Sequence, residues 1–188
     1  KPFTSTRTLL AASLIATLSA CGGSNTYQLG GSVVGLTQDG LVLSNGSNTL
    51  AVSAGASGYL FPDKLKYGAV FDVQIKTQPA HQTCGINGAK GSAGTTSSTA
   101  GLVSCSLNTN TIGGTISGLT AAGLKLTNGG DTQEIAANST TFTMSRVPYG
   151  IAYGVTVLQQ PTGKTCSVSS GIGTMGDVAI TNIVVSCV

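Results

Sequence analysis

The chain has no tryptophan, one histidine, five prolines, and six side-chain carboxylates against nine lysines and arginines. Charged residues make up 8% of it, where an average soluble domain has about 25%. So little charge excludes nucleic-acid binding, which needs a basic face, and so few helix formers exclude a helical bundle. A single histidine excludes a metal site built on several imidazoles, and HExxH is absent. What is abundant is glycine (27), serine (21) and threonine (26), with hydrophobic residues at 40%. That is too apolar for a disordered tail. The 188 residues suffice for one ordinary domain or two small ones.

Lys1 and Arg7 precede an apolar run over 9–18, and Leu18-Ser19-Ala20-Cys21 follows. A basic start, about ten apolar residues and small residues before a cut form a secretory pattern. The run is shorter than the roughly 20 residues of a spanning helix. The last four residues resemble the lipobox of bacterial lipoproteins, which implies a signal helix over 1–20, cleavage before Cys21 and acylation of its thiol. Two palmitate-type chains meet the requirement for stable anchoring, which one chain does not. Gly22, where enteric lipoproteins use Asp to retain a protein at the inner membrane, implies the outer membrane. Residues 21–29 then read as lipidated cysteine and tether. Loss of Lys1 and Arg7 lowers the net charge from +3 to +1, so no basic patch remains.

The rest of the chain repeats itself. Gly30-Gly31-Ser32-Val33-Val34-Gly35-Leu36-Thr37 recurs as Gly113-Gly114-Thr115-Ile116-Ser117-Gly118-Leu119-Thr120. Gly40-Leu41-Val42-Leu43-Ser44-Asn45-Gly46 recurs as Gly123-Leu124-Lys125-Leu126-Thr127-Asn128-Gly129. Farther on, Tyr67-Gly68 matches Tyr149-Gly150, Gln78-Pro79 matches Gln160-Pro161, and Thr83-Cys84 matches Thr165-Cys166. A tandem duplication explains all of these. Four cysteines allow three pairings; the duplicated unit favours Cys84–Cys105 and Cys166–Cys187. Such bonds persist in an exported chain and stabilise each module by about 3 kcal/mol in the chain-entropy model.

The local pattern is β. Leu41, Leu43, Leu50 and Val52 alternate around Asn45-Gly46, a hairpin signal. Phe71, Val73 and Ile75 share one face of a strand, as do Tyr153, Val155 and Val157. Val178, Ile180 and 183–185 read as the closing strand. Turn signals every eight to twelve residues predict an all-β fold of two tandem sandwiches with about seven strands each. Module 1 is expected over 30–106, a linker over 107–112 and module 2 over 113–188. Immunoglobulin-like topology is the first expectation and transthyretin-like the second. The pattern GxVxGL…GLxLxxNG…YGxxYxVxV…QPxxxTC…C resembles a repeat of proteobacterial lipoproteins and secreted surface proteins. That resemblance implies architecture and location, not an activity. Residues 88–101 are longer and richer in Ser and Thr than it implies.

An active site duplicated with the module should leave its polar residues in both copies, and no carboxylate is shared. His81 faces Gly163 in the repeat and reads as a solvated turn residue, with a Ser-His-Asp triad as the sharper alternative. Asp131 and Glu134 flank a hairpin, where charges blunt an edge strand more simply than they serve a glycosidase pair. Gly171-Ile172-Gly173-Thr174-Met175-Gly176 matches GxGxxG, but a strand pattern follows it instead of the helix a dinucleotide fold needs. It reads as a glycine turn. The sequons at Asn45 and Asn138 read as turns as well. The repeat assigns Tyr59 with Phe142, Tyr67 with Tyr149 and Phe71 with Tyr153 to the core, leaving Tyr27 and Phe61 without an aromatic counterpart; Phe61 aligns with Met144 and reads as core before it reads as an exposed apolar contact.

These readings predict no catalytic residue, no cofactor, no metal, and neither nucleic acid nor nucleotide as partner. The expected function is structural or adhesive display of two modules on the outer membrane, facing periplasm or cell surface. A filament subunit, or a module binding a glycan or an envelope protein, is the alternative. The candidate contact residues are Thr95, Thr96, Ser97 and Ser98 in the polar loop peculiar to module 1, together with Phe61.

Overall fold

The structure, a computed structural model, describes residues 25–94 and 98–188. The expected signal helix, the lipobox, Cys21 and residues 22–24 lie outside these, as do Thr95, Thr96 and Ser97.

Sixteen strands form two β-sandwich modules of eight strands each. In module 1 these are β1 (Thr26–Val34), β2 (Leu41–Asn45), β3 (Asn48–Val52), β4 (Gly58–Lys66), β5 (Val70–Thr77), β6 (Gln82–Asn87), β7 (Lys90–Ser92) and β8 (Ser98–Leu107). Module 2 repeats them as β9 (Thr109–Ser117), β10 (Leu124–Asn128), β11 (Asp131–Ile135), β12 (Thr141–Pro148), β13 (Ala152–Gln159), β14 (Cys166–Ser169), β15 (Ile172–Thr174) and β16 (Ile180–Cys187). One sheet of module 1 runs β4-β1-β8-β6 and the other β3-β2-β5-β7; module 2 has the same order, strand for strand. First and last strands pair in parallel, β1 with β8 and β9 with β16.

This order decides between the two expected topologies. In the immunoglobulin order the first two strands share a sheet as neighbours. Here they lie in opposite sheets, as the transthyretin-like alternative has them. The eighth strand is the short β7 or β15, which pairs along β5 or β13. In module 2 this places Ile172–Thr174, expected as a glycine turn, in a strand: Gly173 lies flat beneath Tyr153, where a Cβ would meet its hydroxyl at 2.5 Å.

Each module has its own core. Leu29, Leu41, Leu43, Phe61, Val73 and Val103 centre the first; Ile112, Leu124, Leu126, Val155, Ile183 and Val185 centre the second. Alternation along β2 and β5 points these side chains between the sheets, the pattern of a sandwich with one solvated face per sheet. Val178 does not join the closing strand and is exposed. The repeated glycine pair sits where β1 or β9 crosses its neighbours, and a Cβ on Gly114 would fall 1.8 Å from the Ile183 carbonyl oxygen.

The shared polar residues are scaffold. Asn45 Oδ1 accepts from the Asp72 amide and Asn128 Oδ1 from the Gly154 amide, tying each hairpin to the next strand. The Gln78 side chain brackets Cys84, its Oε1 accepting from the Cys84 amide at 2.7 Å and its Nε2 donating to the Cys84 carbonyl at 3.0 Å. Gln160 holds Cys166 by the same two bonds at the same lengths. β6 and β14 are edge strands, so the amide occupies ladder positions open to another chain, a blunting of the edge. Opposite each bracketed cysteine lies its disulfide partner, Cys105 on β8 and Cys187 on β16, in register.

The expected linker over 107–112 is not a linker. Leu107 ends β8, Thr109 begins β9, and Asn108 alone stands between them. The polar residues that suggested a linker, Thr109, Asn110 and Thr111, are half-buried positions that open β9, an interior strand of its sheet.

Candidate functional site at the module junction

With one residue between the sandwiches, the backbone fixes both sides of the junction. The Asn108 amide donates to the His81 carbonyl at 2.9 Å, and its carbonyl accepts from the Tyr149 amide at 2.8 Å. Its side-chain Oδ1 accepts from Thr83 Oγ1 at 2.7 Å. The linking residue is thus held by the loop before β6 on one side and the turn after β12 on the other.

His81 occupies the centre. The loop carrying it is anchored by Gln78 behind and by the Ala80 amide donating to the Asp39 carbonyl. At His81 the backbone is left-handed, with φ of 57°. Gly163 adopts φ of 66° at the matching position of module 2, the residue such a backbone favours. Histidine is tolerated there better than most side chains, but at some cost. What it obtains is contact with module 2. Its ring stacks on Tyr149 with centroids 3.8 Å apart and planes 3° from parallel, and its Nδ1 lies 2.8 Å from Asp177 Oδ1. The ring is 32% exposed and the carboxylate 55%, so the pairing is partly solvated.

Four sequence expectations change here. His81 is a bridging residue rather than a solvated turn residue. The triad alternative needs a serine oxygen on the second imidazole nitrogen; among the described residues the side-chain hydrogen bond of His81 is the one from Nδ1 to Asp177. Tyr149 belongs to the junction rather than the core, and its repeat partner Tyr67 is 67% exposed. Phe61, expected as a candidate contact, is 1% exposed: alternation along β4 turns it inward against Tyr59, edge to face at 6.1 Å. Of the loop candidates, Ser98 is described as the first residue of β8, opposite Leu29. Tyr27, the other unmatched ring, packs against Tyr67 at 6.2 Å. Asp131 and Glu134 lie on β11, an edge strand.

Sequence reading missed Asp177 and Tyr149 as partners of His81. One signal was available: histidine facing glycine at a backbone position that favours glycine.

Beside the His81 bridge is an open polar cleft of about 450 Å³, lined by Thr83, Asn108, Asn110, Arg146 and Asp177 among others. Asn110 Nδ2 donates to the Gly176 carbonyl and Arg146 to the Thr109 carbonyl, so both are set by module 2. Among the described residues no group of three or more His, Cys, Asp or Glu side chains could hold a metal ion. No helix among them is long and apolar enough to cross a membrane.

No family model and no curated protein matches the chain. Among solved structures it is similar to the Bacillus anthracis TIE protein, with a TM-score of 0.57 and 15% sequence identity over 86% of this chain. At that identity the likeness concerns the fold alone. The chain spans 34% of the length of that protein.

Proposed function

We propose that this chain is a non-catalytic, lipid-anchored envelope protein of the bacterial outer membrane that displays two sandwiches as one fixed unit, in a structural or adhesive role. The observation that carries this reading is the junction. One residue links the modules, and a stacked, hydrogen-bonded histidine bridges them, where a pair of independent binding modules would be served by a longer linker. Two pairs of repeated polar residues, Asn45 with Asn128 and Gln78 with Gln160, support it, since each holds backbone. Leu18-Ser19-Ala20-Cys21 supplies the anchor. The two disulfides occupy the other four of the five cysteines, leaving Cys21 the thiol free to take an acyl chain.

The test is metabolic labelling with a palmitate analogue in cells, comparing the natural chain with Cys21→Ser. Label on the natural chain, with outer-membrane fractionation lost in the variant, is expected; an unlabelled natural chain overturns the anchor. Protease shaving of intact and lysed cells then assigns the display face: digestion on intact cells supports adhesion, and protection limits the reading to a periplasmic spacer.

Binding of a glycan or protein has one observation of its own, the polar cleft at the junction, since sites favour domain interfaces. A ligand from a glycan array whose binding is lost in Asn110→Ala would support it. The filament alternative needs open sheet edges, and Gln78 and Gln160 occupy part of two of them. Concentration-dependent fibres in electron micrographs would restore it.

A further inference from the structure

The duplication reveals a second surface. The face of module 2 built on the turn after β12 and the start of β9 is covered by module 1: Tyr149 carries the His81 ring and donates its amide to the Asn108 carbonyl. Module 1 has the same face. The Tyr67 amide donates to the carbonyl of Asn25, which precedes β1 as Asn108 precedes β9. Among the described residues, Tyr27 is the ring that packs on it. Tyr67 is 67% exposed and Val70, which opens β5 just after that turn, 83%. Lys64 and Lys66, exposed on β4, precede Tyr67 in the chain, with Asp63 the nearest acid in sequence. The next pair, Lys90 and Asp72, neutralise one another at 3.0 Å.

We propose that this face of module 1, formed by Tyr27, Tyr67 and Val70 with Lys64 and Lys66, seats the module on the bilayer that holds its own anchor. The proposal rests on the reading of Cys21 as lipidated. Chain length supplies the first argument. Tyr27 follows Cys21 by six residues, which reach about 20 Å at most, so the anchored face cannot stray far from the headgroups. The chain also enters module 1 through this face, at Asn25 against Tyr67, so the anchor and the face lie at the same end. Chemistry supplies the second argument. Tyrosines with an apolar ring and a polar tip favour the membrane–water interface, and lysines close to it are drawn to anionic headgroups. A second copy of the chain fits less well. The surface that covers Tyr149 does so through His81, and the matching position at the far end of module 2 is Gly163, which has no ring to stack on Tyr67.

The test uses the oxidised chain beginning at Cys21, whose one thiol outside the disulfides couples to maleimide-bearing lipid in vesicles. Since the sequence lacks tryptophan, Tyr67→Trp, Val70→Trp and Lys164→Trp each report one site. With brominated acyl chains, Tyr67→Trp or Val70→Trp should be quenched several-fold more than Lys164→Trp at the far end, and more deeply in anionic vesicles at low salt. The valine variant covers the case in which replacing Tyr67 disturbs the fold. Equal quenching at near and far ends overturns the proposal. So does an emission shift of the near-end probes with protein concentration in the absence of vesicles, which would assign the face to a second copy. The anchor is read separately, from the mass of the Cys21 peptide of chain isolated from cells. Unmodified Cys21 there removes the anchor reading, whereas the vesicle result alone decides whether this face docks.

Discussion

Replacing His81 with glycine separates what the residue costs its own module from what it contributes to the junction. At φ of 57° a non-glycine side chain costs about 1 to 2 kcal/mol, with histidine toward the low end. Module 1 in isolation should therefore gain about 1 kcal/mol from His81→Gly. The junction loses a parallel ring stack, worth about 0.5 to 1.5 kcal/mol, and a partly solvated imidazole–carboxylate contact worth less than about 1 kcal/mol. The global unfolding free energy should hardly change, because gain and loss are of similar size. Orientation is the sensitive readout. Residual dipolar couplings of the natural chain should fit one alignment tensor for both modules, and those of His81→Gly two. The Asn108 bonds to His81 and Tyr149 use backbone atoms and survive the change, so the modules should reorient about the junction rather than separate. The reverse variant, Gly163→His, should destabilise module 2 by about 1 kcal/mol with nothing to offset it. Two tensors in the natural chain, or one in His81→Gly, would refute this account.

Three further outcomes use one module as control for the other. The Tyr59 phenol, buried and donating to the Ala100 carbonyl, is pushed by burial from 10.0 up to about 12. An unfolded chain sheds that proton first, so module 1 should lose stability as pH rises from 10 towards 12, by at most about 3 kcal/mol. Module 2 carries Phe142 there; alkaline thermal scans of Tyr59→Phe should show module 1 spared this loss. Asp72 is held below the usual carboxylate range chiefly by its hydrogen bond from Lys90. The contribution is present at neutral pH and lost as pH falls through the lowered value, so Asp72→Asn should flatten the acid limb of module 1 in urea titrations across pH, and a limb unchanged by the substitution would count against it. Gln160→Ala should leave the Cys166 amide and carbonyl without their bracket and cost about 1 to 3 kcal/mol, with amide exchange at Cys166 accelerated; unchanged exchange would mean that the bracket is dispensable.

The sandwich was legible because periodicity and duplication report on what every copy must satisfy. Leu41, Leu43, Val73 and Val155 alternate because each sheet has one buried face, and the cysteines stand in register because the repeat does. The strand order was not legible. Pairing of β1 with β8 joins residues some seventy positions apart in sequence, and no local pattern distinguishes that neighbour from β2. Gln82 shows another limit. It is 2% exposed, with its Oε1 accepting from the Thr37 and Gln38 amides and its Nε2 donating to the Gly35 carbonyl. Its repeat partner is Lys164, so comparing the copies hides it. For Phe61 the copies do help: it stands where Met144 stands, both are buried, and the core reading holds over the contact one.

Duplication sorts residues by the constraint that retains them. Those that serve the fold recur, as Asn45 and Asn128 do at the hairpins and Gln78 and Gln160 at the cysteines. A residue that serves a relation between modules has no reason to recur, because the two modules have different neighbours. His81 and Gly163 share a backbone conformation and differ in side chain, and the histidine is the one that meets Tyr149 of the other module. Tyr67 and Tyr149 share a side chain and differ in what lies upon it: Tyr27 in the first case, His81 of module 1 in the second. The informative positions in this chain are therefore those where equivalent backbone meets unequal surroundings. They lie at the junction and at the end of module 1 where the chain enters β1.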